Sequence, residues 1–449
     1  MISAVFTALR RLLRRLNTGG GLKSRLIRGG IGSAGIQAAN RVLSLALGIV
    51  LARTLGAEGY GIYAYAFAIM SLLMILAEAG VPRLLMREVA VNQARRKWGL
   101  LRGILQWSAQ LVVYAATAVA TVGLVALWWW AERLSPSTLY TIGLMLLVLP
   151  LAALVKIVAH AMRGLHYVVV GQALEMLGRP ILVLLIIPAF LLVAPDKWSP
   201  EGAMGAQLLA VILVLALGLF VLWRCLPRAV HETNGEYSYL TWIKSALPFT
   251  LIGGAAIINS QADIIMLAWF SAPADIGVYR VAVQGASIVA LGLQATTAVA
   301  APQFARLYAL AEMSGMQRLV TNCARVIIVT ALPFSVLLLL YGGAIAAWVF
   351  GEEFETSHYP IAILVLGQMA TIGLGSFGYI LNMSGYESEN AKNLWFAVIL
   401  NIILNLLLIP LYGMNGAATA STISLSSRSI FIYKLIRRRT GLQPCPLLG

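Results

Sequence analysis

The chain has 449 residues, 60% of them hydrophobic and 11% charged, with a net charge of +16 and a mean hydropathy of +0.85. A soluble domain of this length needs far more charge to cover its surface, and the apolar residues fall in runs of roughly 18 to 25, enough to cross about 30 Å of hydrocarbon as helix. The reading is a polytopic helical membrane protein. Its basic residues sit in the gaps between apolar runs, where they set orientation, so no nucleic-acid partner is implied.

Residues 1–28 place Arg10, Arg11, Arg14 and Arg15 among leucines. The apolar part is too short and interrupted for a signal peptide. It reads either as a basic amphipathic helix on an anionic leaflet or as a basic tail that only fixes topology. Helix 1 is predicted over 29–52. Its start, Gly30 to Gly35, matches GxGxxG, but a dinucleotide site needs a preceding strand, so close helix packing is the reading there.

Helix 2 follows over 60–80, then an amphipathic cytoplasmic stretch rich in arginine over 81–101. Helices 3 to 6 are predicted over 102–130, 138–160, 168–194 and 202–223. Trp128, Trp129 and Trp130 read as an interfacial belt, as do Tyr60, Tyr63 and Tyr65. The polar stretch 225–244 is the expected linker. Helices 7 to 12 follow over 246–270, 276–300, 320–350, 359–382, 393–410 and 415–436, and a short tail over 440–449. The expected domains are therefore bundles over 29–224 and 245–439. Basic runs fall on one side throughout, which places both termini in the cytoplasm.

An internal repeat supports this division. Leu51–Tyr63 (LARTLGAEGYGIY) is echoed by Leu267–Tyr279 (LAWFSAPADIGVY) at a constant offset of 216. Met162-Arg-Gly164 is echoed by Met383-Ser-Gly385, Ile187-Pro188 by Ile409-Pro410, and Gly202-x-x-Gly205-Ala206 by Gly413-x-x-Gly416-Ala417. Corresponding helices run the same way, so the repeat is parallel. The expected fold is all-α, with 12 transmembrane helices in two six-helix bundles.

No HExxH, P-loop or DxD motif occurs, and the four histidines lack metal-ligand spacing. Cys225, Cys323 and Cys445 are scattered without CxxC spacing. No catalytic constellation, metal or cofactor is expected. Charges inside spans are the informative residues. Arg41 lies roughly 20 Å along helix 1 from Arg28. It reads as a cation in a water-filled cavity or as a buried partner of Glu78 or Asp263. Lys156, with His160 on the same face, reads as substrate-binding or snorkelling. Arg280 reads as substrate-binding or an anchor, and Arg53 as an anchor. Asp263 reads as a counter-ion to Arg41 or Arg280 or as an ion-coupling site. Asn401 and Asn405 share a face suited to interhelical hydrogen bonds. Arg163, Arg179 and Arg325 read as topology signals.

The run Arg41-Val-Leu-Ser-Leu, Leu51 to Tyr63, Glu78-Ala-Gly-Val-Pro82 and Arg87-Glu88 resembles the opening of Wzx-type polysaccharide flippases of the multidrug/oligosaccharidyl-lipid/polysaccharide (MOP) superfamily. The resemblance extends from about Gly29 to Arg439. It implies two six-helix bundles forming a V around a cationic cavity, in an inner (cytoplasmic) membrane. The implied substrate is an undecaprenyl-pyrophosphate-linked oligosaccharide, passed from the inner to the outer leaflet, with a polysaccharide polymerase and assembly proteins as possible partners. Arg41 matches the cationic role. A multidrug-type antiporter of the same fold stands as the alternative, with a membrane glycosyltransferase or polymerase behind it. The fourteen helices of peptidoglycan-precursor flippases do not match.

Overall fold

The computed structural model describes residues 22–193, 198–374 and 378–443. The arginines at 10–15 and Cys445 lie outside the described residues. Among the described residues the chain is helical, with no strand. In chain order the helices are α1 (Leu22–Glu78), α2 (Val81–Ala94), α3 (Trp98–Trp129), α4 (Pro136–Gly164), α5 (Val168–Val193), α6 (Pro200–Cys225) and the short α7 (Arg228–Glu232). Then come α8 (Tyr239–Phe270), α9 (Pro273–Ala286), α10 (Leu291–Ala309), α11 (Met313–Phe350), α12 (His358–Gly373), α13 (Gly378–Met383) and α14 (Glu387–Thr440). Eight of these, α1, α3, α4, α5, α6, α8, α11 and α14, are long and apolar enough to cross a membrane.

A straight α14 would measure about 80 Å, far more than a bilayer needs. Instead α1 and α14 are each two helices meeting at a glycine, Gly56 (φ 70°) and Gly413 (φ 54°). Only glycine enters that left-handed region without strain. The two arms of α14 run back along each other. Asn393 donates to the Arg428 carbonyl at 3.2 Å, and Asn401 to Ser421 Oγ at 3.2 Å. In α1, Gln284 donates to the Ser44 carbonyl on one arm (3.1 Å), and Tyr60 on the other donates to Gln284 Oε1 (3.4 Å). A straight helix would hold Ser44 and Tyr60 about 24 Å apart.

The helix starts follow local chemistry. Ser135 and Ser199 accept from Thr138 N and Gly202 N at 3.3 Å each, ahead of Pro136 and Pro200. This is the cap-then-proline start of a helix. In α2, Val81, Leu84, Leu85 and Val89 are buried while Arg83 and Arg87 are exposed, the amphipathic pattern expected for this stretch. Trp128 and Trp129 stand 77% and 79% exposed, as a belt requires.

One expected helix is interrupted within the described residues. The span 276–300 breaks after Ala286, where Ser287 Oγ donates to the Gln284 carbonyl at 2.7 Å, a local bond that competes with the helix ladder. Of the span 359–382, the described residues form α12 up to Gly373 and α13 from Gly378, and residues 375–377 lie outside the described residues.

Turns gather at two ends of the bundle. Gly56, residues 131–135, 271–272 and 351–357, and Gly413 define one, called here the Gly56 end. Residues 79–80, 95–97, 165–167, 226–238, 310–312 and 384–386 define the Gly80 end. The helices before residue 226 pack mainly on one another, as do those after 238. Between the two groups, α1 packs on α8 and α9, and α2 on α8. The connection between the groups is strapped to α3. Glu236 N donates to the Gly99 carbonyl at 2.9 Å, Arg102 donates to the carbonyls of His231 and Thr233, and Tyr237 donates to Gln106 at 2.7 Å. Trp242 then stacks obliquely on Trp107, centroids 5.2 Å apart.

Candidate functional site

A cavity of about 420 Å³ lies where α1, α5, α6 and α9 meet. Arg41, Ser44 and Gly48 face it from the first arm of α1, and Tyr60, Tyr63 and Phe67 from the second. Arg179 comes from α5, Gln207 from α6, and Arg280 and Gln284 from α9. Three guanidinium groups therefore share one hollow, and no Asp or Glu lines it among the described residues. Two of the guanidinium groups have a neutral or weak companion. Arg41 is exposed and donates to Gln294 Oε1, and Arg179 lies 5.1 Å from the centre of the Phe67 ring. Uncompensated positive charge in a low-dielectric wall is stable only beside water or an anion.

This geometry decides several expectations. Arg41 pairs with neither Glu78 nor Asp263. Tyr60 and Tyr63 are not belt residues: they are 4% and 6% exposed and line the cavity. Tyr60 hydrogen-bonds Gln284, and Tyr63 accepts from Gln207. Arg179 is not a topology signal. A π-helical turn, Leu174–Gly178, precedes it, and Pro180 supplies the cause. Its ring would crowd the Met176 carbonyl and it offers no N–H, so the ladder widens there. The sequence clue was a Glu175-to-Arg179 pair of charges inside an apolar run.

Two further cavities extend from this one. The next, about 350 Å³, shares Ser44, Phe67, Arg179 and Pro180 with it and adds Lys156 and Glu175. The one after, about 510 Å³, shares Lys156, Glu175, Ile257 and Ser260 with the second and adds Glu78, Arg83, His160 and Arg163 at the Gly80 end. Here two ion pairs form, and Arg83 is left over. Lys156 Nζ lies 2.6 Å from Glu78 Oε1, and Arg163 is paired with Glu175. His160 Nδ1 is 2.9 Å from the Lys156 carbonyl and 3.8 Å from Glu175.

Asp263 lies apart, in a polar cavity of about 210 Å³ bordered by α8, α9, α12 and α14. Tyr279 donates to it at 2.8 Å and Asn405 at 2.7 Å, and Ser421 donates as well. Its partners are neutral donors, and among the described residues it forms no ion pair with Arg41 or Arg280. Asn401 and Asn405 serve the interhelical bonding expected of them.

The Gly56 end is closed. A Cβ on Gly61 would overlap the Pro273 carbonyl, and one on Gly277 would overlap the Ala57 carbonyl. Arg53, expected to be an anchor, instead donates to the carbonyls of Val349 (2.7 Å) and Trp348 at the end of α11. Glu353 accepts from Ala57 N at 2.6 Å, capping the second arm of α1. Both charges complement the helix end that they meet.

Comparisons with known proteins agree with this architecture. The family described as "Polysaccharide biosynthesis protein" matches residues 26–308, more than half of the chain. A relative from Haloferax volcanii, "Probable low-salt glycan biosynthesis flippase Agl15", is 25% identical over 247 residues, 54% of this chain and 50% of the relative. The chain thus spans about half the length of that relative. Among solved structures, an inward-facing multidrug resistance MATE family transporter of the MOP superfamily aligns with a TM-score of 0.70 at 14% identity, over 92% of this chain and 98% of that one. The lipid II flippase MurJ in an inward closed conformation aligns with a TM-score of 0.69 at 13% identity, over 91% and 87%. At such identity these two likenesses are of fold. With the family match covering most of the first group of helices and the fold shared along nearly the whole length, the chain is a multi-pass membrane protein that belongs to the polysaccharide biosynthesis protein family.

Proposed function

We propose that the protein is a flippase for an anionic, lipid-linked oligosaccharide. The specific reading is an undecaprenyl-pyrophosphate-linked repeat unit, moved from the cytoplasmic to the outer leaflet of the inner (cytoplasmic) membrane. The observation that carries it is the hollow lined by Arg41, Arg179 and Arg280 with no acid beside them. A diphosphate supplies the missing charge, and Arg forks suit phosphate oxygens. Lys156 serves on the way in. A polymerase and assembly proteins would take the product onward.

Twelve crossings follow if the arms of α1 and α14 count separately and the pairs α9–α10 and α12–α13 each cross once. The bundles would be 29–224 and 245–439. The arginines and lysines of 83–102, 224–244 and 437–439 support a cytoplasmic Gly80 end with both termini on that side. The cavities then lead inward and the closed Gly56 end is the outer gate. Alternating access requires the two groups to rock about the cavity while the lipid tail stays in the bilayer. Asp263, hydrogen-bonded by three neutral donors in a cavity that Arg428 also lines, is the site proposed for coupling to a proton or sodium ion. An antiporter of organic cations would want an acid in the central hollow, and the described lining has none.

The test is a leaflet-accessibility assay in proteoliposomes with the undecaprenyl-diphosphate oligosaccharide. Arg41→Ala, Arg179→Ala and Arg280→Ala should each slow flipping, and the triple variant should abolish it. Wild-type rates from the triple variant would refute the reading.

A further inference from the structure

Lys156, His160 and Arg163 recur at i, i+4 and i+7 and so share one face of α4, which looks into the 510 Å³ cavity at the Gly80 end. Two acids from other helices reach them. Glu78 is the last residue of α1, where the helix dipole disfavours a carboxylate. It therefore gains nothing from its own helix and is held by Lys156. Glu175 sits in the π-helical turn of α5 and pairs with Arg163. Arg163 is incompletely satisfied by that pair, since its Nε is buried and makes no hydrogen bond. The deep hollow differs, because its three guanidinium groups meet no carboxylate.

We propose that Lys156 and Arg163 form a second anion station at the Gly80 end, and that Glu78 and Glu175 occupy it until a phosphate or diphosphate group arrives. The inference rests on the reading of the cavities as an anion path. An entering phosphate takes Lys156 and the Arg163 N–H groups that Glu175 gives up, and Glu78 turns to Arg83, which lines the same cavity. The anion then passes to the deep hollow, where no carboxylate competes, and the acids return to their cations behind it. The acids keep the entry station from trapping its ligand, and the deep hollow is favoured because its charge is uncompensated.

The experiment measures inorganic pyrophosphate binding to the full chain in nanodiscs by calorimetry. It uses two backgrounds, wild type and the Arg41→Ala/Arg179→Ala/Arg280→Ala variant. In the triple background, Glu78→Gln with Glu175→Gln should tighten binding about ten- to a hundredfold, the worth of a hydrogen bond to a charged group. Lys156→Ala should remove that gain. Purely structural ion pairs predict unchanged or weaker binding on neutralising the acids, and that result overturns the proposal, as does a gain that survives Lys156→Ala. If Glu78→Gln does not fold, Glu175→Gln alone tests the Arg163 half against Arg163→Ala. Failure of the deep reading appears separately, as triple-variant binding equal to wild type with the acids intact.

Discussion

Gly61 and Gly277, 216 residues apart, each press against the backbone of the helix that carries the other. Gly61 meets the Pro273 carbonyl and Gly277 meets the Ala57 carbonyl. Pro273 stands at the same offset from Ala57, so the contact is reciprocal. A two-fold repeat puts such a pair on its axis, and only residues without a Cβ allow backbones this close.

Filling that contact should hold the Gly56 end apart. Gly61→Val introduces an overlap worth about 1–3 kcal/mol, enough to shift a two-state equilibrium by about five- to a hundredfold. In a background with Cys225, Cys323 and Cys445 replaced, Ala64→Cys lines the cavity. Its labelling by a membrane-impermeant maleimide from the Gly56 side should rise by that order. Unchanged labelling would place the gate elsewhere.

Arg53 and Glu353 should act on the same closure by charge rather than shape. Removing either cap, by Arg53→Ala or Glu353→Gln, should weaken the closed state by about 0.5–2 kcal/mol. Spin labels on the exposed positions Glu58 and Thr356 should then report a longer, broader distance distribution, and the double variant should broaden it further.

Arg179 tests whether geometry matters beyond charge. Lysine keeps the cation but loses the planar face set against Phe67 and the fork that grips two phosphate oxygens. Arg179→Lys should retain part of the pyrophosphate affinity of wild type, and Arg179→Ala should lose about tenfold or more. Equal losses from both would mean that stacking or bidentate contact carries the whole effect.

Asp263→Asn keeps the size of the side chain but puts an amide where three donors converge. A thermal melt should show a loss of about 1–3 kcal/mol. Flipping should also lose its dependence on an imposed proton or sodium gradient. A variant that retains gradient dependence would leave Asp263 with a structural role alone.

Much of this was legible in the chain. Hydropathy located the helices because a lipid-facing surface leaves few alternatives, and the repeat survived where packing permits only glycine, at Gly61 and Gly277. Arg41 stood out because a guanidinium deep in an apolar run is costly unless it meets water, an acid or an anionic ligand. Arg179 did not, because the expected span over 168–194 gave its depth but not that it faces Phe67 and the hollow. Tyr60 and Tyr63 were misread for a related reason. Tyrosine near a helix end usually marks the interface, and the pattern alone does not show that these two meet Gln284 of α9 and Gln207 of α6. The Glu78–Lys156 pair joins helices far apart in sequence, so neither residue announces the other.

The strap at 226–238 has a mechanical corollary. Its hydrogen bonds to Gly99, Arg102 and Gln106 make it part of the first group of helices, so it is not a slack cord between two moving bodies. Nicking the chain near Asn234 would therefore leave the assembly intact in detergent, with the fragments co-purifying, because side chains already carry the load that would otherwise fall on the peptide bond.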